Sequence, residues 1–450
     1  MKRKITAVLL ALSLVTGLAA CGSESEETTT TATTAGETAE GETTTAAEGA
    51  EVEGDLVFWG HQEESWNNSF RTIGEEFTAA NPGVSMTFEF FPYDDFEGKM
   101  QTSLLSGDGG ADVYEIWGGW ALDFASTGSL AAMPEEISSA LRDQTYEPTL
   151  GALEYDGQLY GMPFEYNIEY GGMLVNLNIL NEQGLTVPTT WDEMIDGAKQ
   201  ATVKNGDLFE IRGFDFVNWD SVPYMFLAMI LSNGGEYMTD DGTFTFQTEE
   251  AKEAFTVLTD LVLTEQVTDL TGLTGGEDLE GYQQLFAGNA LYVPRGSWAV
   301  AEGEQTFELT YGEDFSYEAM PPYGDSENLK FAAETGWSLA VNAHSQQTDA
   351  AFAFLNYFGQ DEVSLQHNIN TGTIPAQKDL AHSPELLEAM PFVEPLVNIL
   401  DRGQFIGYFN TDILKENVND VFVNYCQDMY EDMGAALVEL ENLLNTAING

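Results

Sequence analysis

Cysteine is nearly absent: Cys21 and Cys426 are the two in the chain. No disulfide framework exists, and with Cys21 modified no internal disulfide can form. Cys426, within Val423-Asn424-Tyr425-Cys426-Gln427, reads as a packed core thiol. Bases are the second scarcity, 15 Lys and Arg against 75 Asp and Glu, for a formal net charge of −60. That field repels nucleic acid and anionic headgroups, which excludes both as partners. It also disfavours a highly anionic solute, so a neutral ligand fits best. The apolar run Ile5 to Val15 is too short for a membrane-spanning helix, which wants about 20 residues. Catalytic signatures are missing as well: no His-Glu-x-x-His, no Cys-x-x-Cys, no Gly-x-Ser-x-Gly and no Gly-x-Gly-x-x-Gly. Ser106-Gly107-Asp108-Gly109-Gly110 follows a helical segment without the Lys a phosphate loop needs, and reads as a stop and turn. No cofactor and no metal site is expected. Paired carboxylates for glycoside hydrolysis stay open as an enzyme alternative, because acids are so abundant.

The N-terminus carries what the rest lacks. Lys2, Arg3 and Lys4 precede the apolar run, and Gly17-Leu18-Ala19-Ala20-Cys21 follows it. A basic start, a short apolar centre and small residues before a cut site make a secretory signal peptide over 1–20. Leu18-Ala19-Ala20-Cys21 resembles the lipobox of bacterial lipoproteins. That resemblance implies a lipid on Cys21 and a place on the outer face of the cytoplasmic membrane, with each buried methylene adding about 0.8 kcal/mol. Residues 21–52 are rich in Thr, Glu, Ala, Gly and Ser, without aromatics or bases. Such a segment cannot offset its ordering entropy and is expected to be a disordered tether.

From residue 53 onward the composition is that of an ordered globule, too long for one compact core and suited to two lobes. Asp55 to Gly60 reads as a strand. Trp66, Phe70, Ile73 and Phe77 recur at helical spacing until Asn81-Pro82-Gly83. Val84, Met86, Phe88 and Phe90 alternate with polar residues as a strand does. Phe96 to Leu105 is helical and Ala111 to Ile116 a third strand. Thr190 with Glu193 forms a capping-box start, and Glu249 to Val262 puts Ala251, Ala254, Phe255, Leu258 and Leu261 on one helical face. Alternating strands and helices imply an α/β fold with largely parallel sheets.

The order of segments resembles the extracellular solute-binding proteins of carbohydrate ABC importers, the maltodextrin-binding-like family 1. The pieces that carry it include Leu56-Val57-Phe58-Trp59-Gly60-His61, Asn81-Pro82-Gly83-Val84 and Tyr155-Asp156-Gly157-Gln158-Leu159-Tyr160-Gly161-Met162-Pro163. Val187-Pro188-Thr189-Thr190-Trp191-Asp192-Glu193-Met194, Phe286-Ala287-Gly288-Asn289-Ala290-Leu291 and Gly336-Trp337-Ser338-Leu339-Ala340-Val341 continue it. The resemblance implies a two-lobed, type II periplasmic-binding-protein-like α/β fold whose chain crosses three times between lobes. Lobe 1 is expected over 53–166 and 335–370, lobe 2 over 167–334 and 371–450. It further implies a monomer that takes a mono- or oligosaccharide in the interlobe cleft and meets ABC permease subunits, touching the membrane only through its lipid. A metal or anion carrier on the same fold is the other alternative. Clustered Tyr and His or Arg would serve that role, and scarce bases with many Trp argue against it.

A sugar offers apolar C–H faces to aromatic rings and hydroxyls to polar side chains. Such residues stand at the strand ends this fold turns toward its cleft. Trp59, His61, Gln62 and Glu64 belong to the first, Tyr93 and Asp94 to the second, Trp117 and Trp120 to the third. Tyr166, Asn167 and Glu169 lie at the first crossing, and Asn218, Trp219 and Asp220 in a later loop. Arg295 and Trp298 follow Ala290 to Val293, with Trp298 matching the family's stacking Trp. Gly336 and Trp337 open the returning strand, and Tyr408 and Asn410 lie near the end. Six of the eight Trp fall in these positions. Trp66 and Trp191 read as helix packing.

Overall fold

The computed structural model describes residues 52–106, 110–275, 279 and 281–449. The leader, Cys21, the tether through Glu51 and residues 107–109 of the Gly-rich turn lie outside them. Fourteen strands are described in chain order. The first six are β1 (Gly54–His61), β2 (Val84–Phe91), β3 (Val113–Trp117), β4 (Glu154–Tyr155), β5 (Gln158–Leu159) and β6 (Met162–Pro163). Then come β7 (Gly172–Asn176), β8 (Val203–Asn205), β9 (Leu208–Phe214), β10 (Ala290–Pro294) and β11 (Phe315–Ala319). The last are β12 (Phe331–Ala333), β13 (Trp337–Val341) and β14 (Gly403–Phe405).

Local sequence accounts for the elements beside the site. In the helix Glu64–Ala80, the Glu63 carboxylate accepts a hydrogen bond from the Trp66 backbone N–H at 2.8 Å, satisfying a donor that the first turn leaves orphaned. Trp66, Phe70, Ile73 and Phe77 then share the buried face, and Asn81-Pro82 ends it. The strand β2 alternates as its sequence does. Its apolar side is only partly covered because β2 is an edge, and the Arg71 guanidinium lies 5.0 Å over Phe90. In Trp191–Ala201 the capping box is modified: Thr190 caps Glu193, but the Glu193 carboxylate accepts from Thr189 instead.

Two five-stranded sheets result, ordered β2-β1-β3-β13-β6 and β11-β7-β10-β9-β8. They are mixed rather than largely parallel. The strand β1 runs parallel to β2 and β3 and β9 parallel to β10, while β13 is antiparallel to both β3 and β6 and β7 antiparallel to β10 and β11. The cause is connectivity. The strand β13 enters its sheet from the other lobe, so no right-handed βαβ crossover forces it parallel.

Each sheet has its own hydrophobic core. Phe58, Phe70, Phe354 and Phe358 lie in the first, with Phe214, Phe226, Phe255 and Phe422 in the second. The chain moves between cores after Phe164, after Ala333 and along the helix Asp361–Thr371, giving the two-lobed, thrice-crossed α/β fold. Tyr146 is an exception within the first stretch. It packs in the second core, edge-on to Tyr166 at 5.2 Å. Cys426 packs against the second core, and burial pushes its thiol up to about 12, which keeps it protonated and unreactive.

Candidate functional site

A cavity of about 550 Å³ opens between the two sheets. From the first sheet's side it receives His61 at the end of β1, Trp66 of the following helix, Tyr93, Trp117 at the end of β3 and Trp337 at the start of β13. From the other side come the loop Asn218–Asp220, Tyr282, Arg295 and Trp298 beyond β10, and Asp412 and Lys415 of the helix Thr411–Cys426. Glu165, Asn167 and Glu169 line it from the first crossing. Strand ends and crossings thus converge on one concavity, the arrangement open α/β sheets use for ligands.

Aromatic rings form two walls. On one side Trp337 stacks flat on His61, with centroids 4.4 Å apart and planes within 12°. Trp117 lies 5.4 Å from Trp337, and Trp66 stands edge-on to His61 at 5.0 Å. On the other side Trp298 meets Tyr282 edge-on at 5.5 Å, and the Arg295 guanidinium covers the Trp298 ring at 4.5 Å. Trp219 stays 44% exposed and holds a left-handed backbone with φ 74°. A bulky residue rarely adopts that conformation, and such strain collects at binding loops.

Beneath the rings lies a charge network. Arg295 pairs with Asp220 and reaches Glu169 at 3.7 Å. Glu169 in turn accepts from the Gly296 N–H at 2.9 Å and from the Trp298 indole N–H at 3.1 Å, which fixes that ring. Buried Lys415 lies 3.5 Å from Asp220 and 3.6 Å from both Glu334 and Asp412. Burial disfavours its charge, but Glu334, Tyr224, Asp220 and Asp412 outweigh that and hold it well above the ordinary lysine value. Glu334 accepts from Tyr224 and from the Asn167 amide, and burial pushes it up to about 7 against the pull of Lys415. Glu165 accepts from the Trp337 N–H at 2.9 Å; burial, abetted by Glu169, Glu115 and Glu334, pushes it up to about 8. The Nε1–H of Trp117 is buried without an acceptor among the described residues.

Thirteen residues expected at the site line this cavity: His61, Gln62, Glu64, Tyr93, Trp117, Asn167, Glu169, Asn218, Trp219, Asp220, Arg295, Trp298 and Trp337. Others are placed elsewhere. Trp59 lies within β1, not after it, and packs edge-on against Phe91 and Tyr114. Trp120 is buried behind the wall, its indole N–H donating to Asp412 at 2.9 Å. Tyr166 is buried with its hydroxyl on the Leu400 carbonyl. Gly336 supports the wall: a Cβ there would come within 2.8 Å of a Glu165 oxygen. Tyr408 is 71% exposed and borders a separate groove with Tyr155 and Asp123. Asp94 falls in the helix Tyr93–Ser106, and its side chain lies outside the described residues.

Sequence reasoning passed over Trp66, Glu63, Glu165, Tyr282, Glu302, Thr306, Asp412 and Lys415, all of which line the cavity. Trp66 does both jobs, since its helical spacing is genuine and one ring edge still reaches the site. Lys415 left only the signal of its rarity as one of 15 bases.

Residues 61–364 match the family described as bacterial extracellular solute-binding protein. A maltotriose-binding protein of Pyrococcus abyssi is 26% identical over 74% of this chain and 69% of its own. An arabinooligosaccharide-binding protein of Halalkalibacterium halodurans is 25% identical over 78% of each. Among solved structures, the GacH receptor of Streptomyces glaucescens superposes with TM-score 0.72 at 21% identity, covering 89% of this chain and 99% of that one. The maltose/maltodextrin-binding domain of Bdellovibrio bacteriovorus, bound to maltotriose, gives 0.70 at 18%, covering 87% and 99%. The chain belongs to the bacterial extracellular solute-binding protein family.

Proposed function

We propose that this chain captures a sugar or oligosaccharide in the interlobe cavity and delivers it to an ABC importer. One observation carries the reading: aromatic walls on both sides of a cavity whose floor and rim are hydrogen-bonding side chains. Rings cover the apolar C–H faces of a pyranose while Asn167, Asn218, Gln62 and the carboxylates take its hydroxyls. The maltotriose- and arabinooligosaccharide-binding relatives support the same ligand class. With lobes taken as 53–166 plus 335–370 and 167–334 plus 371–450, closure is a hinge motion at the three crossings. Ligand that touches both lobes shifts the equilibrium toward the closed form. His61, Trp117, Trp298 and Trp337 are the residues assigned to stacking and contact.

The test is a thermal-shift screen of the mature protein against mono- and oligosaccharides. A ligand at a hundred times its Kd stabilises by about 2.7 kcal/mol, so the melting temperature should climb with concentration. A flat response across a broad glycan panel rejects a sugar ligand. Product formation on incubation would instead place the chain among glycoside hydrolases. Membrane placement through a lipidated Cys21 is the second part of the proposal. Cys21→Ser should move the protein from the membrane fraction to the medium, and retention would reject the anchor.

A further inference from the structure

Four acids are almost wholly buried among the described residues: Glu115, Glu165, Asp215 and Glu334. Three have a basic group at hand. Glu115 meets His61 Nδ1 at 2.9 Å, Asp215 meets Arg212 at 3.6 Å, and Glu334 meets Lys415 at 3.6 Å. Glu165 has none within ion-pair reach among the described residues. It is 2% exposed, lines the cavity, and receives only the Trp337 N–H on one oxygen. The charged groups that act on it are Glu169, Glu115 and Glu334, all acidic. A buried carboxyl with no cation and like-charged neighbours is costly to keep.

The cations of the cavity do not relieve it. Arg295 is committed to Asp220 and Glu169, and Lys415 to Asp220, Glu334 and Asp412. Further carboxyls, Glu63, Glu64 and Glu302, line the same space, so acids outnumber bases there even with every ion pair made. Aromatic faces, which attract cations as well as sugar rings, stand beside Glu165 in Trp337 and its neighbours Trp66 and Trp117. No group of three His, Cys, Asp or Glu among the described residues is placed to hold a metal ion, so an organic cation is what this chemistry fits.

We propose that the solute carries a protonated amine beside its hydroxyls, an amino sugar or amine-bearing oligosaccharide, and that Glu165 is the residue that pairs with it. The inference rests on the sugar-binding reading and narrows it. The upward-shifted carboxyl is the empty-state signature of the same site: without ligand Glu165 holds a proton near neutral pH, and an ammonium beside it displaces that proton to solvent. A missing side chain at Gly336 keeps the carboxyl in place, since a Cβ would approach its Oε1 to 2.8 Å.

The experiment is calorimetric titration of the mature protein at pH 7 with matched sugar sets that differ at one substituent. Each set offers a free amine, its N-acetyl form and the corresponding hydroxyl on several backbones and linkages. The expected result is a preference of at least about ten-fold for the free amine in the best-binding set, corresponding to about 1.4 kcal/mol. Hydroxyl or N-acetyl members that bind as tightly as the amine, or more tightly, overturn the inference and leave sugar binding standing. Binding by no member of any set rejects both. In Glu165→Gln, checked for folding by its melting temperature, the amine-to-hydroxyl affinity ratio should fall at least ten-fold. A ratio that persists in the folded variant removes Glu165 from the role.

Discussion

Lys415→Met is expected to destabilise the ligand-free protein by about 3–5 kcal/mol at pH 7, read from urea unfolding. The ammonium lies within 3.6 Å of carboxylates from three separate segments, Asp220, Glu334 and Asp412, while its charge rests 4.8 Å over the Trp117 ring. Methionine fills the stem's volume and restores none of the charge. Three acids would then share a buried space with no cation of their own, apart from the reach of Arg295 to Asp220. The cost depends on pH with a definite sign. Glu334, pushed up to about 7 even beside Lys415, is penalised only where the unfolded carboxyl ionises, so its share of the deficit should fade as pH falls toward 4.5. A loss below about 1 kcal/mol, or one that grows on acidification, would show that the network is not held by this charge.

Glu165→Gln should act in the opposite direction and stabilise the empty protein. The folded carboxyl is pushed up to about 8 from an ordinary 4.5, so the unfolded chain gives up its proton first as pH rises. Stability owed to this group is whole below about pH 4.5 and is lost progressively up to about pH 8, by roughly 3 kcal/mol at pH 7. The amide has no such titration. Its melting temperature should therefore exceed that of the parent at pH 8 and converge with it near pH 4.5. An unchanged difference across that range would mean that the parent carboxyl is not abnormal. A side chain that costs stability where a neutral isostere would not is the pattern expected of a residue retained for binding.

Much of the frame was legible because it rests on local periodicity. The buried face of Glu64–Ala80, the alternation in Val84–Phe91, the capped start at Thr190 and the apolar face of Glu249–Leu263 depend on residues within a turn or two of each other. Sheet direction was not legible, since the antiparallel placement of β13 is fixed by where the chain returns from, not by the composition of Trp337–Val341. The site divides along the same line. Residues at strand ends, such as His61, Trp117 and Arg295, could be read from the α/β pattern. Lys415 and Asp412 could not: they sit on an ordinary amphipathic helix, and only tertiary folding brings them under Trp117 and Trp120. Trp59 and Trp120 show the converse error. Trp at a strand end is as readily a packing residue, and the sheet parity that decides between the two depends on register.

The position of β13 has a consequence for how the molecule comes into being. It sits between β3 and β6, with Trp337 paired to Trp117 and Leu339 to Met162. A chain that appears from its N-terminus must therefore wait for the larger part of the second lobe before the first sheet can close. Until then β3 keeps a bare edge and β6 has no neighbour, so early folding yields unfinished and adhesive intermediates. The long loop between the paired strands also makes spontaneous closure slow. A nascent chain that cannot lock its first half stays threadable for longer, and a fragment ending before Trp337 will not yield an isolated first lobe however its N-terminal boundary is chosen.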